Sequence, residues 1–205
     1  MSLFEDTYKT IAAPAEGQFK DRGSKFIAYA YPLRKEATVK ELVAALKAEH
    51  PKARHHCWAY RLTPDRSIFR INDDGEPSGT AGRPILNSLL SSDITNVLVV
   101  VVRYFGGTLL GVPGLIHAYK AAAQDALQAA DIVELTVNDI YSVTFPYAQL
   151  NEVMRIAKVE NLDVSEQEFD NRCTMLLGIR QTQVEQVLGK LGKVDGVAAE
   201  FLRTV

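Results

Sequence analysis

The 205-residue sequence predicts an α+β protein in two domains, residues 1–135 and 136–205. Three observations point there. A six-residue apolar run, Val97 to Val102, is flanked by helical patterns on both sides. The order of patterns beyond Glu134 reads strand, helix, strand, strand, helix, strand. The texture changes near Thr136 with no long linker, repeat or low-complexity tract to bridge it.

FIAYAYPL, Phe26 to Leu33, alternates at period two and reads as a strand ending at Pro32. From Glu36, Val39, Leu42, Val43 and Leu46 recur at helical spacing, and Pro51 lies just past the pattern, where a helix cannot continue. HCWAYRL and SIFRIN read as a hairpin with Pro64 and Asp65 at its tip. NDDGEPSGTAGRP, residues 72–84, holds three glycines, two prolines and no periodicity, which makes it a loop with unusual backbone conformation. Pro84 opens a short helical pattern through Ile85, Leu86, Leu89 and Leu90. NVLVVVVRYF is the β-branched run of a central strand buried on both faces. After GGTLLGVPG, Leu115 to Ala130 reads as an alanine-rich helix.

In the second domain the elements are Ile140–Phe145, Tyr147–Lys158, Leu162–Phe169, Cys173–Ile179, Val184–Leu191 and Val197–Leu202. Leu150, Val153, Met154 and Ala157 mark one helix's apolar face; Val184, Val187, Leu188 and Leu191 mark the other's. A βαββαβ order in roughly 70 residues is that of the ferredoxin-like sandwich.

Composition narrows the function classes. Hydrophobic residues at 47% and charged ones at 23% supply a core and exclude disorder. The longest apolar run is far short of the roughly 20 residues a membrane span needs. The acidic N-terminus lacks a signal's apolar stretch, so a cytoplasmic location is expected, with no membrane partner. Cys57 and Cys173 are too few for a disulfide framework or a four-cysteine zinc site. A net charge of -2 argues against bulk electrostatic coating of nucleic acid. The first 135 residues carry 16 basic and 15 acidic side chains, the rest 7 and 10. Positive charge concentrates at Lys20–Lys35 and Lys47–Arg70, either as a binding face or as ordinary solvated surface.

Gly106, Gly107, Gly111 and Gly114 between strand and helix suit either an anion on backbone N–H groups or a tight turn. The spacing is not the Rossmann fingerprint, and Val112 and Pro113 stand where a Walker A loop needs Lys and Ser or Thr. Asp73, Asp74 and Glu76 are near enough in sequence to share a hard cation, or form a solvated polar turn. Arg70 and Ala81 occupy the terminal ligand positions of an EF-hand, which excludes that motif. Glu76 replaces the glycine a nucleophile elbow needs ahead of Ser78, and no HExxH is present. His55 and His56, adjacent on a strand, point to opposite faces and cannot both bind one ion. His117 carries no motif.

Taken together, SKFIAYAYP, ARHHCWAYRL, NDDGEPSGTAGRPIL and VVVVRYFGGTLLG resemble the IMPACT family, in order, over about residues 17 to 125. The resemblance implies a first domain folded like the second domain of a small-subunit ribosomal protein, and a ferredoxin-like second domain like domain V of elongation factor G. It also implies a link to translation, since eukaryotic relatives are associated with regulating initiation through a kinase activator on the ribosome. The family pattern marks Ser24, Lys25, His55, His56, Asp74, Gly75, Glu76, Pro77, Thr80, Ala81, Gly82, Arg103, Tyr104, Gly106, Gly107 and Gly111. Pro113 stands where the pattern has a glycine, and it removes one N–H from any anion cradle.

Two expectations follow. In the first, a translation-associated regulatory or binding protein meets RNA or a ribosome-associated component in a cleft of the first domain. Lys25, Arg83 and Arg103 would contact phosphate and Tyr104 or His56 would stack on a base, with Ser24, Asp74, Glu76, Thr80, Gly106 and Gly107 completing the cleft and no DNA specificity. In the second, a small enzyme acts on a phosphorylated ligand, with Asp74 and Glu76 holding magnesium, the one cofactor contemplated.

Overall fold

Residues 6–205 are described by a computed structural model. Contacts divide them into two units, Lys9–Leu135 and Thr136–Val205, with residues 6–8 counted in the second. In chain order come β1 (Thr7–Ile11), whose first two residues belong to the second unit, then β2 (Ala15–Asp21), β3 (Ser24–Pro32), α1 (Ala37–Glu49), β4 (His55–Leu62), β5 (Ile68–Asn72), α2 (Gly82–Ser91), β6 (Val97–Tyr104) and α3 (Gly111–Ala129) of the first, and β7 (Ile132–Thr136), which ends at the boundary. β1 pairs with β7, and the other strands form a five-stranded sheet in the order β2-β3-β6-β4-β5. Every pairing in that sheet is antiparallel.

The apolar run is the middle strand β6, and period-two alternation gives it two cores. Val97, Val99 and Val101 face α2 and α3 together with Phe26, Ala28, Cys57 and Ala59. Leu98, Val100 and Val102 face α1 together with Tyr29, Tyr60 and Leu62. A strand covered on both sides needs apolar residues at every position, which is why no alternation marks it in the sequence. α3 is alanine-rich because it lies on backbone. Ala118, Ala122, Ala123 and Ala126 are fully buried, and a Cβ placed on Gly17 of β2 would come within 2.1 Å of the Ala126 nitrogen.

The structure departs from the sequence expectations in identifiable places. β1, β2 and β7 carry no strong apolar pattern. β2, AEGQFKD, is an edge strand with polar residues interleaved and a glycine where the helix approaches. α2 begins at Gly82, two residues before Pro84, and its Leu90 is exposed. α3 begins at Gly111, so Gly114 lies in the first turn and Pro113 falls among the opening residues, whose N–H groups have no intrahelical partner. The missing donor therefore costs the helix nothing.

The second unit holds β8 (Asn138–Pro146), α4 (Leu150–Val159), β9 (Asp163–Glu168), β10 (Arg172–Arg180), α5 (Val184–Leu191) and β11 (Ala198–Thr204). Its four-stranded sheet has the order β11-β8-β10-β9 and is antiparallel throughout, the split βαβ arrangement of the ferredoxin-like fold. Val143, Phe145, Met175, Leu177 and Ile179 meet Val153, Ile156, Val187 and Leu191 in its core. Met154, expected on the buried face of α4, is exposed, and Ile156 takes the inward position. Asp6 accepts hydrogen bonds from Arg180 and Thr182 within this unit. No helix among the described residues is long and apolar enough to cross a membrane.

Candidate functional site

β3 starts at Ser24, β4 starts at His55, β5 ends at Asn72 and β6 ends at Tyr104. The register, Lys25 opposite Tyr104, His55 opposite Arg103 and Trp58 opposite Asn72, puts all four of these ends at one end of the sheet. Four sequence motifs separated by up to 80 residues therefore meet there as neighbouring loops.

The acidic loop is folded around its own first carboxylate. Asp73 accepts hydrogen bonds from the N–H groups of Gly79, Ala81 and Gly82 at 2.9, 3.1 and 2.8 Å. That places negative charge at the start of α2, where the helix dipole favours it. Thr80, buried, donates to the Pro77 carbonyl. Asp74 takes a positive φ of 41° and Gly75 one of 87°, a reversal that sends successive side chains to different faces.

Asp74 lies on the α1 side. Its carboxylate accepts the His56 N–H at 2.7 Å and the Lys47 ammonium at 3.1 Å. Burial raises its pKa, but those hydrogen bonds outweigh the burial and hold the carboxyl below its ordinary value. Glu76 lies on the α3 side. Its Oε1 accepts Arg103 Nη1 at 2.5 Å and the Tyr119 hydroxyl at 2.7 Å. The two carboxylates expected to share magnesium thus have separate partners. Among the described residues no group of three or more His, Cys, Asp and Glu side chains is arranged to hold a metal ion.

The expected cleft is likewise divided. Arg103 shares the α3 face with Phe26, over whose ring its guanidinium lies at 5.5 Å. It is 5% exposed and its charge is matched by Glu76, which leaves it unsuited to an approaching phosphate backbone. Tyr104, the next residue, points to the α1 face, where its hydroxyl bonds His50 Nδ1 at 2.8 Å while His50 Nε2 bonds the Tyr29 hydroxyl at 2.8 Å. His56 is buried on that same face, and burial lowers its imidazole pKa and keeps it neutral. Neither ring is free to stack on a base. Lys25 lines a different, polar recess with Glu16 and Asp125. Arg83 is exposed on α2 and makes no ion pair among the described residues.

The glycines serve the chain itself. The Gly106 N–H donates to the buried Ser24 hydroxyl at 3.1 Å, and a Cβ there would sit 1.9 Å from the Gly23 carbonyl carbon. Gly106 is therefore required by a backbone crossing, and its N–H is not available to an anion. Gly107 has φ 88° with open space around it.

A cavity of about 410 Å³ opens at this end of the sheet, floored by His55, Glu76 and Arg103 and walled by Phe105, Leu109 and Val112. The sequence pointed to its floor and missed its walls. It also missed Arg54 at the rim, and Tyr119 and Cys57 beneath: Cys57 Sγ lies 3.0 Å from the Asp73 carbonyl and 3.3 Å from the Tyr119 hydroxyl. Phe105 follows Tyr104 in the motif, but its 44% exposure is a tertiary fact. A second cavity of about 410 Å³ lies in the other unit beside α4 and α5, where Glu152 pairs with Arg155 and Glu160 with Lys190. It holds none of the motif residues.

Residues 22–127 match the family described as the Impact N-terminal domain, a span that contains every loop at this end of the sheet. An IMPACT family member of Haemophilus influenzae is 34% identical over 170 residues, 82% of each chain. YigZ of Escherichia coli is 37% identical over 144 residues, 69% of this chain and 71% of that one. A solved structure described as that of a hypothetical protein is 27% identical and covers 98% of this chain and 99% of its own at a TM-score of 0.77. The likeness runs through the loops that meet at the sheet end and on into the second unit, and on that ground the chain belongs to the IMPACT family.

Proposed function

We propose that this protein is a translation-associated regulator that contacts RNA on the ribosome with the loop end of its five-stranded sheet. Family membership supports the translation link. IMPACT proteins of Saccharomyces cerevisiae and Rattus norvegicus are 31% identical over 56% and 50% of this chain. The RNA contact rests on one observation. Arg22, Lys52 and Arg54 stand exposed at that end with no ion partner among the described residues, while the loop's own acids are engaged internally. Phosphate contact moves from Arg103 to these three cations, and stacking moves from Tyr104 or His56 to the exposed ring of Phe105. Glu76, the acid a metal-assisted reaction would need, is spent on Arg103 and Tyr119, so the geometry lends that reading no support.

The test is sedimentation with ribosomes and with bare single-stranded RNA across a salt series. Three phosphate contacts give a log–log salt slope of about -2 for single strands. The Arg22→Ala/Lys52→Ala/Arg54→Ala variant should flatten that slope, and Phe105→Ala should weaken binding without changing it. Absence of pelleting at every salt concentration would overturn the RNA reading.

A further inference from the structure

An edge strand offers unpaired backbone groups to any other strand, and native sheets guard their edges against it. The two larger sheets have four edges, β2, β5, β9 and β11, and three are guarded. α3 packs against β2, and the Gln18 N–H is taken by the Asp125 carboxylate at 2.8 Å. β9 carries Asp163, Glu166 and Glu168, with Glu166 at a positive φ of 46° where the register against β10 shifts. β11 has a shift of its own between Phe201 and Arg203. β5, IFRIN, pairs with β4 without a shift, holds no proline and a single charge, and exposes Ile68 at 41% and Phe69 at 52%.

The pairing with β4 decides which groups of β5 are free. His56 gives its N–H to Asp74, which stands where the register of Trp58 with Asn72 would continue. Backbone direction alternates along an antiparallel pair, so Ile68, Arg70 and Asn72 turn their N–H and C=O groups to β4, while Phe69 and Ile71 turn theirs outward. No hydrogen bond among the described residues uses those outward groups. On the α1 face, Arg70 and Asn72 lie beside Tyr60 and Trp58, whose rings stack at 5.8 Å. A hollow of about 310 Å³ opens there between Trp58, Tyr60 and Arg70 of the sheet and Val39, Lys40 and Val43 of α1.

We infer that β5 is the docking edge for an extended peptide of a partner protein, which pairs antiparallel with it and carries aliphatic side chains on either side of an acidic one. The outward backbone of Phe69 and Ile71 calls for a strand. The hollow over Trp58 takes an aliphatic side chain opposite Asn72, and Arg70, 68% exposed, with the exposed Lys40, selects a carboxylate opposite Arg70. A second copy of this chain fits less well, because full overlap of β5 with itself sets Arg70 opposite Arg70. The edge shares no residue with the cations and ring proposed for RNA, so either reading can fail alone.

The probe is the peptide acetyl-SLTETIS-amide, titrated by calorimetry and by the emission of Trp58, the sole tryptophan, at the hollow. Its Kd should be about 1 mM or tighter, the weak end of specific association. Methylating the amides of its two threonines, which face β5, should weaken it at least about tenfold, whereas methylating those of its glutamate and isoleucine should change it by less than about threefold. Replacing its glutamate by lysine should weaken it about threefold or more, and Arg70→Glu should reverse that preference. Phe69→Pro should abolish binding while leaving the β4 ladder intact, since the N–H it removes points outward. Arg70→Glu, at an exposed position, decides the matter even if Phe69→Pro fails to fold. No binding at about 5 mM peptide, equal losses from the two methylation patterns, or an unreversed charge preference in Arg70→Glu would overturn the proposal. Self-association of the protein without peptide, abolished by Phe69→Pro, would overturn it in favour of a second copy.

Discussion

Arg103→Ala should be among the most costly single substitutions in the first unit, and the reason is the partner it leaves behind. Arg103 and Glu76 side chains are 6% and 4% exposed and meet at 2.5 Å. Removing one member of a buried pair strands the other's charge, at about 3–5 kcal/mol. The guanidinium also lies 5.5 and 5.8 Å from the ring centroids of Phe26 and Phe105, contacts worth about 0.5–1 kcal/mol each at exposed sites and more when desolvated. Trp58 is the sole tryptophan of the chain and belongs to this unit, so its fluorescence in urea reports this unit's unfolding separately from the other's. With a slope of about 2 kcal/mol per molar urea, a loss of about 4 kcal/mol lowers the midpoint by about 2 M. A double-mutant cycle with Glu76→Gln isolates the pair, and the coupling should be at least about 1.5 kcal/mol. A midpoint shift below about 0.5 M, or coupling below about 0.5 kcal/mol, would refute the assignment of Arg103 and Glu76 as a mutually dependent buried pair.

The two adjacent glycines should behave differently. Gly106→Ala, forced against the Gly23 and Ser24 backbone, should cost about 2 kcal/mol or more, whereas Gly107→Ala meets open space and pays about 1 kcal/mol for its positive φ; equal Trp58 midpoints would refute the close-approach account. In the second unit, hydrogen bonds from Arg180 and Thr182 lower the Asp6 pKa from 3.8 to about 2. A depressed carboxyl stabilises above its unfolded value and loses that contribution as pH falls through its folded one. Asp6→Asn should therefore cost about 1 kcal/mol at neutral pH, a deficit that fades as pH drops from 3.8 through about 2, followed by circular dichroism of this unit's unfolding. Cys57 is fully buried, and burial pushes its thiol well above the ordinary range. Its reaction with a disulfide reagent should be limited by unfolding and accelerate with urea in step with Trp58, and prompt labelling in buffer would contradict its placement.

Much of the fold was legible because periodicity is a local property. α5 spans the predicted Val184–Leu191, and β6 and α1 match their patterns to within a few residues. β1, β2 and β7 were illegible because short or edge strands satisfy one side only, and their stability comes from partners distant in sequence. The site was legible as a set of motifs and illegible as a geometry. Glu76 and Arg103 both stood among the candidate residues, but their pairing spans 27 positions. Nothing in the local sequence sets Leu109 and Val112 apart, and it is the fold that leaves them exposed at the cavity.

The sequence by itself determined most of the helices and strands, β1, β2 and β7 excepted, and that one strand is buried on both faces, because both follow from spacing along the chain; the family is legible through the resemblance of its motifs. Only the tertiary structure decided the face that each motif residue takes. Neighbours on a strand always part company, as His55 and His56 do, and Arg103 and Tyr104. Which helix covers which face depends on where the crossovers place α1 relative to α2 and α3, and no local pattern encodes that. A predicted single cleft thus becomes two clusters back to back across one sheet. Asp74, His56 and Tyr104 hold one face closed, and Glu76, Arg103 and His55 floor a cavity on the other.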